Sequence, residues 1–282
     1  MARQVRIEYG GAGYHVMARG DRREEIFLGD GDRELFLSTL GEACGRTGMR
    51  VVGYVLMPNH YHLLVVTPEG NLVAAMRWLQ NAYTRRFNAR HRLWGHVFGG
   101  RYKAVLVDGK VGAYVSAVLD YIHLNPVRAG LVRRGDGLER YGWSSLAAYG
   151  RPPRKRPEWL DVGGGLRAAG LADEAGGRRE FLGRLERRVD WGRAGEAGLG
   201  GSLRPGVVLR RGWCFGAEAF RERMLKLAGG RIANRGKRRA DGYRGGEVRD
   251  HGLGRAARLL EAGLEEFGLS LGQLAGLKKG DW

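Results

Sequence analysis

Residues 49–66, MRVVGYVLMPNHYHLLVV, form the stretch that most clearly indicates the fold. Segments 49–56 and 60–66 are rich in β-branched and aromatic side chains, which favour strands, and a Met-Pro-Asn break separates them. Side chains two positions apart on a strand point to the same face of the sheet. His60 and His62 therefore project together and can offer two imidazole nitrogens to one cation. The alternative interpretation is a polar strand end with two hydrogen-bonded histidines.

The segments around this stretch alternate between strand and helix patterns. Hydrophobic periodicity predicts a strand over 12–19, a helix over 32–47, a helix over 71–90, a strand over 101–107 and a helix over 110–125. Pro126 is expected to end the last helix. The order is strand, helix, strand, strand, helix, strand, helix. It predicts an α+β fold in which helices cover one face of an antiparallel sheet.

A second group of polar residues lies at the end of the last predicted helix, in the segment DYIHLNPVR, residues 120–128. Tyr121 and Asn125 are four positions apart and therefore share one helical face. The amide oxygen of an asparagine is a hard ligand suited to Mg²⁺ or Mn²⁺. Equally well, the tyrosine could pack on the sheet while the asparagine caps the helix end.

The composition favours a polyanionic partner. The 282 residues include 48 lysines and arginines against 30 aspartates and glutamates, so the formal net charge is +18. Such a field attracts polyanions, and arginine, which outnumbers lysine here, matches phosphate oxygens in pairs. Nucleic acid is therefore the leading partner class. The alternative is a basic surface that serves only solubility.

Several other classes of protein are disfavoured. Cys44 and Cys214 are far apart and show no CxxC spacing, so we predict neither a disulfide framework nor a cysteine zinc site. The first residues lack the apolar run of a signal peptide, and no stretch approaches the length of a membrane span. We therefore expect a soluble, cytoplasmic protein without a membrane partner. No nucleotide-binding loop is present, so no nucleotide cofactor is predicted.

The amino-acid composition changes after Tyr149, near the start of the basic, proline-rich segment RPPRKRP. We place a domain boundary there, which gives a first domain over residues 1–150. Residues 151–250 form a Gly/Arg-rich linker and extension, mostly helical or irregular and basic. Apolar residues within 251–282 recur at helical spacing, which predicts a small helical segment. This segment resembles the first helices of a helix-turn-helix DNA-binding module, and we expect a truncated form of that module.

Several segments together resemble one known family. They are GYHVMARGDRREEIF, PNHYHLLV, NAYTRRFNARHRLWGHVFGGRYKAV and YIHLNPVRAG, in this order along the chain. They resemble the single-tyrosine transposases of the His-hydrophobic-His (HUH) type, in particular the branch of REP-associated tyrosine transposases. The resemblance covers about residues 5–150. It implies a ferredoxin-like or RRM-like α+β fold, which agrees with the predicted order of elements.

The resemblance also implies an activity and the residues that carry it. His60 and His62 correspond to the metal-binding pair, Tyr121 to the nucleophile, and Asn125 to the third, polar ligand of Mg²⁺ or Mn²⁺. The implied enzyme cuts and rejoins single-stranded DNA at hairpin-forming repeats through a 5′-phosphotyrosine. Members of the family act as dimers that share active-site helices or as monomers, and the sequence leaves this open.

Basic and aromatic side chains around the motifs are candidates for contacts with DNA, because guanidinium groups follow phosphates and rings stack on unpaired bases. The candidates are Arg77, Arg85, Arg86, Arg90, Arg101, Tyr102, Lys103 and Arg128. Trp78 belongs to the same set, although Trp78 and Tyr102 would serve equally well as core residues.

Three other functions are weighed against the transposase hypothesis. A domesticated relative would bind repeat hairpins without cutting them, against which the intact His60, His62, Tyr121 and Asn125 argue. A cupin also carries an HxH strand, but that fold needs many more strands. An RNA-binding protein with an RRM-like sheet would carry the aromatic-rich RNP signatures, which this sequence lacks.

Overall fold

The structure, a computed structural model, describes residues 6–133, 135–189 and 212–233, together with positions 209, 253, 254, 256, 257 and 261. The chain divides into two compact units. One unit is Glu8–Phe220, and the other combines Met1–Ile7 with Arg221–Trp282. Nearly all of the small helical segment predicted over residues 251–282 lies outside the described residues.

The larger unit is built on a five-stranded mixed sheet. Its strands are β1 Ala12–Arg19, β2 Arg50–Met57, β3 His60–Thr67, β4 Lys103–Val107 and the short β5 Cys214–Phe215. Their order across the sheet is β2-β3-β1-β4-β5. The first four strands pair antiparallel, and β5 joins the edge of β4 in parallel. The predicted α+β fold with a ferredoxin-like antiparallel sheet is confirmed for these four strands.

Eight helices have defined bounds in the described part of the chain. They are α1 Asp30–Thr47, α2 Leu72–His91, α3 Gly112–His123, α4 Asn125–Arg128, α5 Leu146–Gly150, α6 Val162–Ala168, α7 Ala175–Arg188 and α8 Glu218–Ala233. Short 3-10 helices lie at Asp21–Arg23, Leu138–Arg140 and Pro153–Lys155. The predicted strands and helices of the first 125 residues agree with these bounds to within about two residues at most ends.

Helices cover both faces of the sheet, whereas the sequence predicted helices on one face only. Tyr61 of β3 contacts Phe36 of α1, with ring centroids 4.9 Å apart. The next residue, His62, faces Tyr121 of α3 at 5.7 Å. Because successive strand residues point to opposite faces, α1 and α3 lie on opposite sides of β3. The uninterrupted burial of residues 61–65 has the same cause, since helices cover both faces of this strand.

The helix that carries Tyr121 ends two residues earlier than predicted. α3 stops at His123, and Leu124 has φ −88° and ψ 0°, outside the regular helical range. The amide of Leu124 still donates to the carbonyl of Asp120 at 3.0 Å. Pro126 then lies in the first turn of α4, where its missing amide hydrogen costs no hydrogen bond. The proline therefore helps to start a second short helix, and Tyr121 and Asn125 belong to different helices.

The larger compact unit continues past the boundary predicted at residue 150. Tyr149 of α5 stacks on Phe181 of α7, with centroids 4.4 Å apart and an interplanar angle of 20°. Arg184 and Arg188 of α7 both contact the carboxylate of Asp120 in α3. Residues up to 189 thus pack on the helix that carries Tyr121, and the unit ends at Phe220. Within the described residues, no helix is both long and apolar enough to cross a membrane.

Candidate active site

Three histidines lie together on the sheet face that α3 covers. His15 of β1 and His62 of β3 are both buried, and Nε2 of His15 lies 2.9 Å from Nδ1 of His62. The ring of His60 meets that of His62 edge-on at 5.1 Å. Antiparallel pairing produces this cluster, because Met17 lies opposite His62 and His15 points to the same face as Met17.

Burial keeps all three imidazoles neutral. Desolvation lowers the pKa of His15 to about 3, and the nearby charge of Lys103 contributes in the same direction. Desolvation likewise lowers the pKa of His60 to about 4, assisted by Arg19. The pKa of His62 falls well below its usual value because the ring is buried beside His15 and His60. Neutral imidazoles carry the free lone pair that a metal ligand needs.

The ring of Tyr121 lies against this cluster. Its centroid is 5.6 Å from that of His15 and 5.7 Å from that of His62, both edge-on. On another side, the guanidinium of Arg128 lies 4.9 Å from the centroid of the Tyr121 ring. Nη1 of Arg128 also donates to the carbonyl of Tyr121 at 3.0 Å. The histidine cluster on β1 and β3 is therefore joined by Tyr121 of α3 and Arg128 of α4.

Asn125 lies near the cluster in sequence but is placed differently from Tyr121. It is the first residue of α4 and half-buried, and its carbonyl accepts the amide of Ala129 at 3.0 Å. The break at Leu124 separates its helix from that of Tyr121. The sequence placed both residues on one face of a single helix, whereas the structure places them on two helices.

The donor atoms fit a divalent cation in part. Nδ1 of His60 lies 2.7 Å from Oδ1 of Asn59, an acceptor, so that Nδ1 carries the hydrogen and Nε2 keeps its lone pair. His62 lies beside it on the same face. In the described part of the chain, no group of three or more His, Cys, Asp or Glu side chains is arranged to hold a metal. Two imidazole nitrogens are thus available to a cation, and a complete ligand set would need further donors.

The predicted DNA contacts separate into two groups. Lys103 begins β4 opposite Met17 and therefore lies on the histidine face, as its effect on His15 also indicates. Arg128 stacks on Tyr121. Tyr102 is buried and Arg101 is exposed just before β4. The structure thus brings Lys103 and Arg128 to the histidine cluster.

The candidates on α2 lie on the other side of the sheet, where α2 packs against α1. Arg86 pairs with Glu42 through two hydrogen bonds of 2.7 and 2.9 Å, and Arg90 lies 3.6 Å from Asp32. Arg77 and Arg85 are exposed on the same helix, and the guanidinium of Arg46 lies 4.8 Å from the ring of Trp78. Arg86 and Arg90 thus tie α2 to α1, and none of these residues reaches the histidine cluster.

The sequence patterns did not identify two residues of this region, His15 and Trp94. His15 lies on a different strand from the HxH pair, and only the sheet register brings it to His62. Trp94 is 91% exposed in the loop between α2 and β4. That loop is anchored beside the histidines, because Gly20 bridges Phe98 and the amide of Gly20 donates to the carbonyl of Asn59. The segment RLWGH, in which Trp94 follows Arg92 and precedes a glycine, could have drawn attention to this residue.

Comparison with known proteins identifies the family. Residues 9–125 match the family model described as transposase, IS200-like. The segment that contains β1 to α3 and reaches Asn125 therefore matches the IS200-like transposase family, as the motifs predicted. The chain matches no curated protein.

Two solved structures resemble the chain. One is a REP-associated tyrosine transposase bound to a REP hairpin, with 16% identity and a TM-score of 0.47, covering 57% of this chain and 93% of the other. The second is a putative transposase from Deinococcus radiodurans R1, with 19% identity and a TM-score of 0.31, covering 42% of this chain and 96% of the other.

Proposed function

We propose that the chain is a metal-dependent endonuclease and strand transferase for single-stranded DNA, with Tyr121 as its nucleophile. One observation carries the proposal: the ring of Tyr121 lies 5.7 Å from that of His62, which shares its sheet face with His60. A phenol, two neutral imidazoles and a guanidinium then lie within reach of one phosphodiester. The match of residues 9–125 to a transposase family supports the same reaction class.

His60, His62 and the amide oxygen of Asn125 would hold Mg²⁺ or Mn²⁺. When bound, the cation polarises the scissile phosphate and stabilises the charge that develops on its oxygens. The two imidazoles are suited to this role because burial keeps them unprotonated. Arg128, beside the Tyr121 ring, would bind a phosphate oxygen and hold the strand in line with the phenol.

The bonds exchanged are those that the resemblance of the motifs to single-tyrosine transposases implies. The phenolic oxygen of Tyr121 loses its proton and attacks the phosphorus, while the bond from phosphorus to the 3′-oxygen breaks and that oxygen takes up a proton. A 5′-phosphotyrosine and a free 3′-hydroxyl remain. Another 3′-hydroxyl can later displace Tyr121 and restore a phosphodiester, so no nucleotide triphosphate is consumed.

The DNA is proposed to be a hairpin with an unpaired flank, as the resemblance of the motifs implies. Lys103 and Arg128 would contact backbone phosphates near the cluster. Trp94, exposed in a loop that contains Arg92 and Arg101, offers a ring on which an unpaired base can stack. The arginines of α2 on the far side of the sheet are left out of this path.

The test is incubation of the full chain with end-labelled hairpin DNA and Mn²⁺ or Mg²⁺, followed by a denaturing gel. We expect a covalent protein–DNA product with the parent and none with Tyr121→Phe, which keeps the ring but lacks the oxygen. His62→Ala should also abolish it. Cleavage by Tyr121→Phe at the parent's rate would refute the proposal. Salt-sensitive hairpin binding with no product from the parent would instead indicate a domesticated binding protein.

A further inference from the structure

We propose that His15 is a positioning residue of the metal centre, which holds His62 in the tautomer that leaves its Nε2 free for the cation. This inference rests on the proposed function and adds a residue from a third segment of the chain to the site. It concerns the hydrogen bond of 2.9 Å between Nε2 of His15 and Nδ1 of His62.

The two rings are held rigidly against each other. Their planes are nearly parallel, with an interplanar angle of 12°, and their centroids are 5.1 Å apart. His15 is completely buried in the middle of β1, between Leu64 of β3 and Val105 of β4 in the sheet register. Its backbone is therefore fixed by strands on both sides. A side chain on such a backbone can fix the orientation of a neighbouring ring.

A separation of 2.9 Å between two ring nitrogens requires one hydrogen between them. If Nδ1 of His62 carries it, His15 accepts and Nε2 of His62 keeps a lone pair. If Nε2 of His15 carries it, Nδ1 of His62 accepts, and the hydrogen of the neutral His62 ring must lie on Nε2. Only the first arrangement lets His62 bind a cation through Nε2.

His60 shows the same arrangement with a partner whose role is fixed. The Nδ2 group of Asn59 donates to the carbonyl of Arg23 at 3.0 Å, which orients the amide. Oδ1 of Asn59 therefore faces Nδ1 of His60 and can only accept. His60 consequently carries its hydrogen on Nδ1 and leaves Nε2 free. His15 would do for His62 what Asn59 does for His60.

The cost of placing His15 here supports a functional role. Within the described residues, its Nδ1 is buried with no hydrogen-bond partner. An unsatisfied buried polar atom costs about 1–3 kcal/mol, which an apolar side chain at the same place would avoid.

Two variants of the full chain separate the hydrogen bond from the ring itself. His15→Phe keeps a buried ring of similar shape but offers no acceptor. His15→Gln offers an amide oxygen at about the reach of Nε2. The readouts are the binding of Mn²⁺ by calorimetry, the tautomer of His62 in the metal-free protein by nitrogen-15 NMR, and the melting temperature.

We expect the parent to show the Nδ1–H tautomer at His62. His15→Phe should weaken Mn²⁺ binding about 10- to 100-fold, and His15→Gln should restore it to within roughly threefold of the parent. The Nε2–H tautomer in the parent would overturn the inference, and this measurement needs no variant to fold. Parent-like Mn²⁺ binding by His15→Phe, or equal loss in both variants at an unchanged melting temperature, would overturn it as well.

The failure of the proposed function looks different. In that case the parent binds no Mn²⁺, or His62→Ala binds it as well as the parent, and the role of His15 is refuted with it. If the parent binds Mn²⁺ through His62 and only the His15 variants behave unexpectedly, the inference about His15 fails alone.

Discussion

At the scale of single residues, Arg128 makes two contacts with Tyr121 that a lysine could not make together. Its guanidinium stacks on the ring at 4.9 Å while Nη1 donates to the backbone carbonyl at 3.0 Å. A planar group with several donors can stack and donate at once, whereas an ammonium is a point charge on a flexible stem. The contact therefore fixes both the ring and the backbone of the proposed nucleophile.

We predict that Arg128→Lys slows the formation of the covalent protein–DNA product about tenfold at saturating hairpin DNA, because the Tyr121 ring loses its planar support. Single-turnover cleavage measured on a denaturing gel checks this rate. The matched control is Arg85→Lys, an exposed residue of α2 that should cleave at the parent's rate. Equal rates for Arg128→Lys and the parent, both folded, would contradict the prediction.

At the scale of elements, α7 is attached to α3 through a buried charge. Asp120, the residue before Tyr121, is only 2% exposed and contacts Arg184 at 3.0 Å and also Arg188. Burial raises the pKa of Asp120, although both arginines act in the opposite direction. A carboxylate in this position needs its partners, because a buried charge left unpaired is strongly destabilising. Residues beyond 150 thus stabilise the helix that carries the proposed nucleophile.

Arg184→Met should lower the free energy of unfolding by about 2–4 kcal/mol, as a buried ion pair loses one partner. Urea denaturation monitored by circular dichroism measures this value. Adding Asp120→Asn to Arg184→Met removes the buried carboxylate that has lost one of its two partners and should recover part of the loss. Arg187→Met serves as the control, because Arg187 is exposed on the same helix and should change stability by no more than about 0.5 kcal/mol. If Arg184→Met lowers the free energy of unfolding by about 0.5 kcal/mol or less, Arg188 alone is sufficient to stabilise the buried carboxylate of Asp120.

At the scale of the whole molecule, local sequence patterns predicted the helices and strands. They did not predict how these elements pack against one another. The strand at Ala12–Arg19 agrees with the prediction at both ends, because alternation and turn signals are local. The side of the sheet on which α3 packs was not predictable, since a strand buried on both faces gives no alternation. The pairing of Asp120 with Arg184 joins residues 64 positions apart, and no local pattern encodes it.

The candidate site follows the same division. His60 and His62 were recognisable because two-residue spacing on a strand fixes their common face. Their contact with Tyr121 depends on how α3 packs, and the sequence reached it only through resemblance. His15 stayed hidden because its partner lies 47 positions away on another strand. Asn125 was placed on the helix of Tyr121 because the break at Leu124 leaves no sequence signal before Pro126.

Buried histidines should make the whole fold sensitive to acid. The pKa of His123 is lowered to about 3, first by burial and then by Arg184, and the pKa of His15 is lowered to about 3 as well. Near neutral pH these histidines are mostly uncharged in both the folded and the unfolded chain. Their titration therefore takes almost nothing from the free energy of unfolding at that pH. Below about pH 6.5 these histidines bind protons in the unfolded chain but not in the folded chain. The free energy of unfolding therefore falls with pH until the pKa of the folded state is reached. At pH 5 each such histidine lowers the free energy of unfolding by about 2 kcal/mol.

His123→Gln provides a test of this acid sensitivity, because the glutamine amide can still reach Ser145, whose Oγ lies 2.8 Å from Nε2 of His123, but cannot titrate. The measurement is urea denaturation of parent and variant at pH 7 and pH 5, with a chelator present so that no metal contributes. We expect the free energy of unfolding to fall on acidification in both proteins, but by about 2 kcal/mol less in the variant. Groups common to both proteins cancel in this double difference. An equal loss in parent and variant would mean that the folded chain protonates His123 as readily as the unfolded chain does, and that the packing of Tyr149 and Phe181 around its ring does not exclude the charge.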